Sequence, residues 1–139
     1  MFRSRFIRVV VPLCLFLSIN NIGMAKGNSG NHFGPVNVAA SRHSYTGTGC
    51  PVNIVFTGTI NFRMPHDAFE FSYYWKRSDG AMSQKQSVSV PKNQRSMVVR
   101  DDWSLGSKGT KYNAWEALCV STGNTRVTKK SPVVRIICK

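Results

Sequence analysis

Acidic residues are scarce in this chain: six Asp and Glu stand against nineteen Lys and Arg. No acidic calcium loop is present. Asp101 and Asp102 are sequence neighbours, so in a strand they point to opposite faces and cannot share acid and base work. Histidine is equally sparse. His32, His43 and His66 read as exposed polar residues of an arm, a link and a loop, none at metal-ligand spacing from another ligand type. There is no glycine-rich phosphate loop and no G-x-S-x-G turn. Cys119, set among Ala117, Leu118 and Val120, reads as an inert core thiol rather than a nucleophile. These absences exclude an enzyme, and no metal or cofactor is expected.

Long hydrophobic runs are missing except at the start. Arg3, Arg5 and Arg8 precede Val9-Val10-Val11-Pro12-Leu13-Cys14-Leu15-Phe16-Leu17, and Gly23-Met24-Ala25 follows. Charge, apolar run and small-residue site in this order predict a secretory signal peptide over residues 1–25, cleaved after Ala25. The run is too short to span a bilayer, and Pro12 weakens a spanning helix, so no stable membrane anchor is expected. Lys26 stands where a lipoprotein would need Cys. Cleavage leaves 114 of 139 residues, one domain's worth. Losing three arginines from a formal charge of +13 leaves ten net positive charges. Such a surface attracts anions. Its basic residues are dispersed, with only Lys76-Arg77 and Lys129-Lys130 adjacent, so no polybasic tract forms.

What is present is period two. Phe69, Phe71, Tyr73 and Trp75 alternate with Glu70, Ser72, Tyr74 and Lys76, which stacks four aromatics on one face of a strand. Ser78-Asp79-Gly80 closes it as a turn. Tyr74 is expected to be exposed. Interleaved rings and cations also occur in single-strand nucleic-acid binders. Here the rings share the core-building face, so no nucleic acid is expected.

Residues 26–35 predict a flexible arm and 36–139 the folded domain. Val36–Ala40 can start a first strand, and Tyr45 to Pro51 reads as a turn-rich link. Val52, Ile54, Phe56, Gly58 and Ile60 alternate as a second strand. Gln86 to Val90, ended by Pro91, suits a sheet edge. Met97, Val99, Asp101 and Trp103 share a face, and the Asp predicts that this strand leaves the core or bulges. Ser104 to Lys111 reads as loop. Ala114–Val120 and Val133–Cys138 complete about seven short strands, with no convincing helical period. The fold class is an all-β sandwich of two antiparallel sheets, and a strand ending in an inward Trp suits the third strand of an immunoglobulin-like (Ig-like) one. Phe56, Phe71, Tyr73, Trp75, Trp103 and Trp115 are the expected structural core.

Six landmarks occur in order: Tyr45-Thr46-Gly47 with Cys50-Pro51, Phe56-Thr57-Gly58-Thr59-Ile60, Tyr73 to Gly80, Trp103-Ser104-Leu105-Gly106, Trp115 to Val120, and Cys138. Together they resemble a family of small secreted bacterial Ig-like domains. Gly49 is an extra residue before Cys50, Ala114 replaces a Gly, and Cys119 is additional. The resemblance implies a non-enzymatic exoprotein that modulates virulence. It also implies two partners, a second secreted Ig-like protein and an intimin-like outer-membrane translocator.

Three cysteines remain after processing, and export makes one disulfide expected. Familiar Ig domains would suggest Cys50 with Cys119. In a seven-strand sandwich those positions fall toward opposite ends, whereas the last strand returns Cys138 to where Cys50 lies. Cys50–Cys138 is therefore expected, as the resemblance also implies, with Cys119 a free thiol.

The expected function is binding of another exported Ig-like protein, as a monomer or hetero-complex. Open sheet edges or the arm could supply contacts. The alternative is a basic module for an acidic surface such as lipopolysaccharide or an acidic glycan. No particular partner-binding residue follows from the sequence.

Overall fold

A computed structural model describes residues 31–139. The expected signal peptide and residues 26–30 of the expected arm lie outside the described residues. Ten strands follow in order: β1 (Phe33–Ala40), β2 (Ser44–Gly47), β3 (Val52–Phe62), β4 (Phe69–Arg77), β5 (Gln86–Val90), β6 (Ser96–Leu105), β7 (Lys111–Ala114), β8 (Glu116–Thr122), β9 (Thr125–Lys130) and β10 (Val134–Cys138). Among the described residues there is no helix.

One layer is the sheet β1-β3-β6. The other is built from β5-β4-β8-β9 and β2-β10-β7. These last two sheets continue one another, because β7 and β8 are a single pass of chain interrupted at Trp115, and β9 and β10 a single pass interrupted at 131–133. Pro132, which has no N–H for a ladder, sits in the second gap. Seven passes of chain therefore form the sandwich, with the short β2 added parallel to β10. The sequence reading missed β2 and β9, began the β7 pass too late, and ended the arm too late. Phe33, inside the expected arm, is a core residue only 1% exposed.

The core follows the alternation. Val52, Ile54, Phe56, Ile60 and Phe62 point inward from β3, opposite Phe71 and Trp75 of β4 and Leu118 and Val120 of β8. Gly58 sits where the two layers pack closely against each other. A Cβ there would meet Leu118 Cδ2 at 2.5 Å and the Trp75 ring at 3.2 Å. β6 pairs with β3 without a break from Val52↔Leu105 to Asn61↔Ser96. The bulge expected at Asp101 is therefore absent, and Asp101 faces inward to meet a cation from the opposite layer.

Candidate functional site

The structure places the expected residues as follows. Cys50 and Cys138 form a disulfide, with Cα atoms 6.0 Å apart. Phe56, Phe71 and Trp75 are buried in the core, and Tyr73 and Trp103 are partly buried against it. Trp115 is a correction. It points out of the sandwich, half-buried, with Lys130 Nζ 4.3 Å from its ring centroid. Cys119 is free and buried, but it is not a core thiol. It pairs with Tyr74 on one side and Thr128 on the other, which puts it on the outer face of the sheet. Thr128 Oγ1 lies 3.7 Å from its sulfur. Tyr74, expected to be exposed, is half-buried beside this thiol, and hydrogen bonding to Cys119 pushes its phenol above the ordinary value. His66 is another correction: it is buried, with its ring nitrogens 2.8 Å and 2.7 Å from the carbonyl oxygens of Asp67 and Gln94.

Register assembles a surface that the sequence reading did not identify. Leu118 and Val120 face inward, so Ala117, Cys119 and Ser121 face out, with Lys76, Tyr74 and Ser72 beside them on β4. Across β9 the same rows continue into Lys130, Thr128 and Arg126. Lys76 and Lys130 thus flank Ala117, with backbones about 10 Å apart across two strand spacings. Lys85 lies at the margin with Glu70, whose carboxylate accepts a bond from Ser89. This face presents Lys76, Lys85, Arg126 and Lys130 against Glu70, around Tyr74 and Trp115. The outer face of β1-β3-β6 is different. It carries Asn37, Thr59 and Val98 in one row and Ala39, Thr57 and Arg100 in the next. Its charges are Arg100 and Asp102, of opposite sign.

A second group lies between the layers. Arg77 donates from Nη2 to Asp101 Oδ2 and to the Asp102 carbonyl, each at 3.0 Å, and from Nε to Glu116 Oε1 at 3.1 Å. Its guanidinium lies 5.1 Å from the Trp103 ring centroid. Glu116 is 0% exposed, and its Oε2 has no hydrogen-bond partner. Burial first, then the charge of Asp101, push this carboxyl up to about 8, against the pull of Arg77. Burial works against the charge of Arg77, yet Asp101 and Glu116 outweigh it and its pKa is raised. Near neutral pH Glu116 is therefore mostly protonated. A carboxyl closed off from solvent cannot reach a substrate, so the group is a polar tie between the layers.

The tie has a consequence for stability. The folded value of Glu116 lies above its ordinary 4.5, so the folded state holds the proton more tightly than the unfolded one. Its contribution is complete below about pH 4.5 and is lost as pH rises to about 8. In urea melts the wild type should lose up to about 1.4 kcal/mol per pH unit across that window. Glu116→Gln should flatten the slope. Equal slopes in the two proteins would remove Glu116 as the source.

No family model matches this chain, and no curated protein matches it. Its structure is similar to the CARDB domain of the PF1109 protein from Pyrococcus furiosus, solved in complex with di-metal ions. The TM-score is 0.50 at 14% identity, over 76% of this chain and 90% of that one. For the solution NMR structure of the same domain the TM-score is 0.46 at 10% identity, over 75% and 95%. The first likeness shows an Ig-like fold. Among the described residues here, no group of three or more His, Cys, Asp and Glu could hold a metal ion.

Proposed function

We propose that this chain is an exported, non-enzymatic Ig-like protein that binds an acidic surface of a second exported Ig-like protein through the outer face of β4, β8 and β9. The cross-strand register carries the reading, since it gathers Lys76, Arg126 and Lys130 around Tyr74 and Trp115 on one face. Charge of one sign on one face steers a partner of the opposite sign and fixes its orientation. Half-buried rings beside the cations supply apolar contact area. The disulfide fits export, because such bonds persist in oxidising compartments.

The sequence resemblance supplies the class of partner. In length and basic charge the chain resembles ZirU, a small exoprotein of enteric bacteria associated with an intimin-like outer-membrane translocator and a second secreted Ig-like protein. On this reading the chain modulates virulence through that complex. Lipopolysaccharide or an acidic glycan is the second reading, favoured by the same predominantly basic face.

The test reverses the face. The triple variant Lys76→Glu, Arg126→Glu, Lys130→Glu should lose an acidic exported protein that the wild type captures from culture supernatant. Arg100→Glu, on the opposite sheet, should keep it. Capture undiminished in the triple variant would place the interface elsewhere. Capture of lipopolysaccharide vesicles and no protein would favour the second reading.

A further inference from the structure

β7 pairs with β10 on one side, but β4 ends at Arg77 and does not run beside it. A cleft of about 340 Å³ opens in this gap between β7 and the end of β6. Trp103 and Tyr112 line it, together with Ser104, Asn113 and Asp79. Tyr112 is 43% exposed. Asp79 uses Oδ1 to accept from the Ala81 amide, which shapes the turn at the rim. Tyr112 makes no side-chain hydrogen bond to the other described residues, so its hydroxyl is free for a ligand. Ser104 and Asn113, out of phase with Trp103 and Tyr112 along their strands, bring main-chain atoms to the cleft. β7 also turns the main-chain groups of every second residue toward its open edge.

The floor is held rigidly. Gly106 has φ of 90°, and a Cβ there would collide with Cys138 Sγ, so the loop lies directly on the disulfide. Arg77 holds the Trp103 ring from the side of the polar tie.

We infer that this cleft binds a single neutral sugar residue. Aromatic rings accept the C–H face of a pyranose, while its hydroxyls need several donors and acceptors converging on a small space. The two rings, the Tyr112 hydroxyl, the Asp79 carboxylate at the rim and the open main-chain edge of β7 provide both. The volume lies at the small end of ligand sites, which limits the occupant to about one residue. Asp79 at the rim opposes an anionic sugar, and the chain's net positive charge opposes a cation. The site is separate from the basic face, so either can fail without the other.

The experiment is an NMR titration of the disulfide-bonded protein with the methyl glycosides of glucose, galactose, mannose and N-acetylglucosamine. At least one should shift the Trp103 indole N–H and the Tyr112 and Asn113 amides saturably. Tyr112→Ala, at an exposed position, should weaken that binding by about tenfold, and Asn113→Ala, whose side chain faces away from the cleft beside Arg135, should leave it unchanged. Arg126→Glu should leave it unchanged. No saturable shift with any of the four, shifts confined to the basic face, or binding indifferent to Tyr112→Ala would each overturn the inference. So would a response to a glucuronide or an acidic peptide and to none of the neutral glycosides.

Discussion

Trp75→Ala should destabilise the domain by about 3–5 kcal/mol, a large fraction of an ordinary domain's stability. Trp75 is 2% exposed and pairs with Leu118 across β4 and β8. Its ring also covers Gly58 of the opposite layer, so truncation opens a cavity where the layers pack closely. The indole Nε1 has no hydrogen-bond partner. Trp75→Phe should therefore lose volume and no polar contact, at a cost well below that of alanine. Tyr74→Ala, one residue away, removes a half-buried ring from over Cys119 and should cost about 1 kcal/mol. Urea melts decide the matter: similar losses for the two alanine variants would mean that the faces of β4 have been assigned wrongly.

The second large effect concerns the disulfide. Cys50 and Cys138 lie 88 residues apart in sequence. Closing so long a loop restricts the unfolded chain by about 4–5 kcal/mol in the chain-entropy account. The pair Cys50→Ser, Cys138→Ser should lose stability of that order, as should the wild type under strong reductant. The bond also ties the end of β10 to the approach to β3, beneath the Gly106 loop, so the cleft beside Trp103 should loosen first. Cys119→Ser should leave the linkage intact, because Cys119 lies on the outer face away from both partners. Non-reducing peptide mapping that joins Cys119 to either of the other two would refute the assignment.

Local alternation decided much of this fold before any tertiary contact was known. Val52 to Ile60 and Phe69 to Trp75 alternate strictly, and a period of two commits a strand to one buried face. The same parity was present in Ala114 to Val120, where Leu118 and Val120 face inward and therefore so does Glu116. Residue type argued the other way, since a Trp is expected inside and a Glu outside. Parity prevailed, because Arg77, itself held by Asp101 of the opposite layer, arrives from a distant part of the chain to meet the carboxyl.

The amino-acid sequence by itself determined the all-β class, the inward faces of β3 and β4, the edge position of β5 and the pairing of Cys50 with Cys138. Each rests on period two or on which ends of strands can meet. Only the tertiary structure decided that Trp115 lies outside under Lys130, that His66 is buried between two carbonyls, and that Cys119 sits on the outer face. It also decided that Lys76, Arg126 and Lys130 share one surface. Those outcomes depend on register between strands far apart in the chain. Register comes from the packing of both layers together, and no window of sequence contains it.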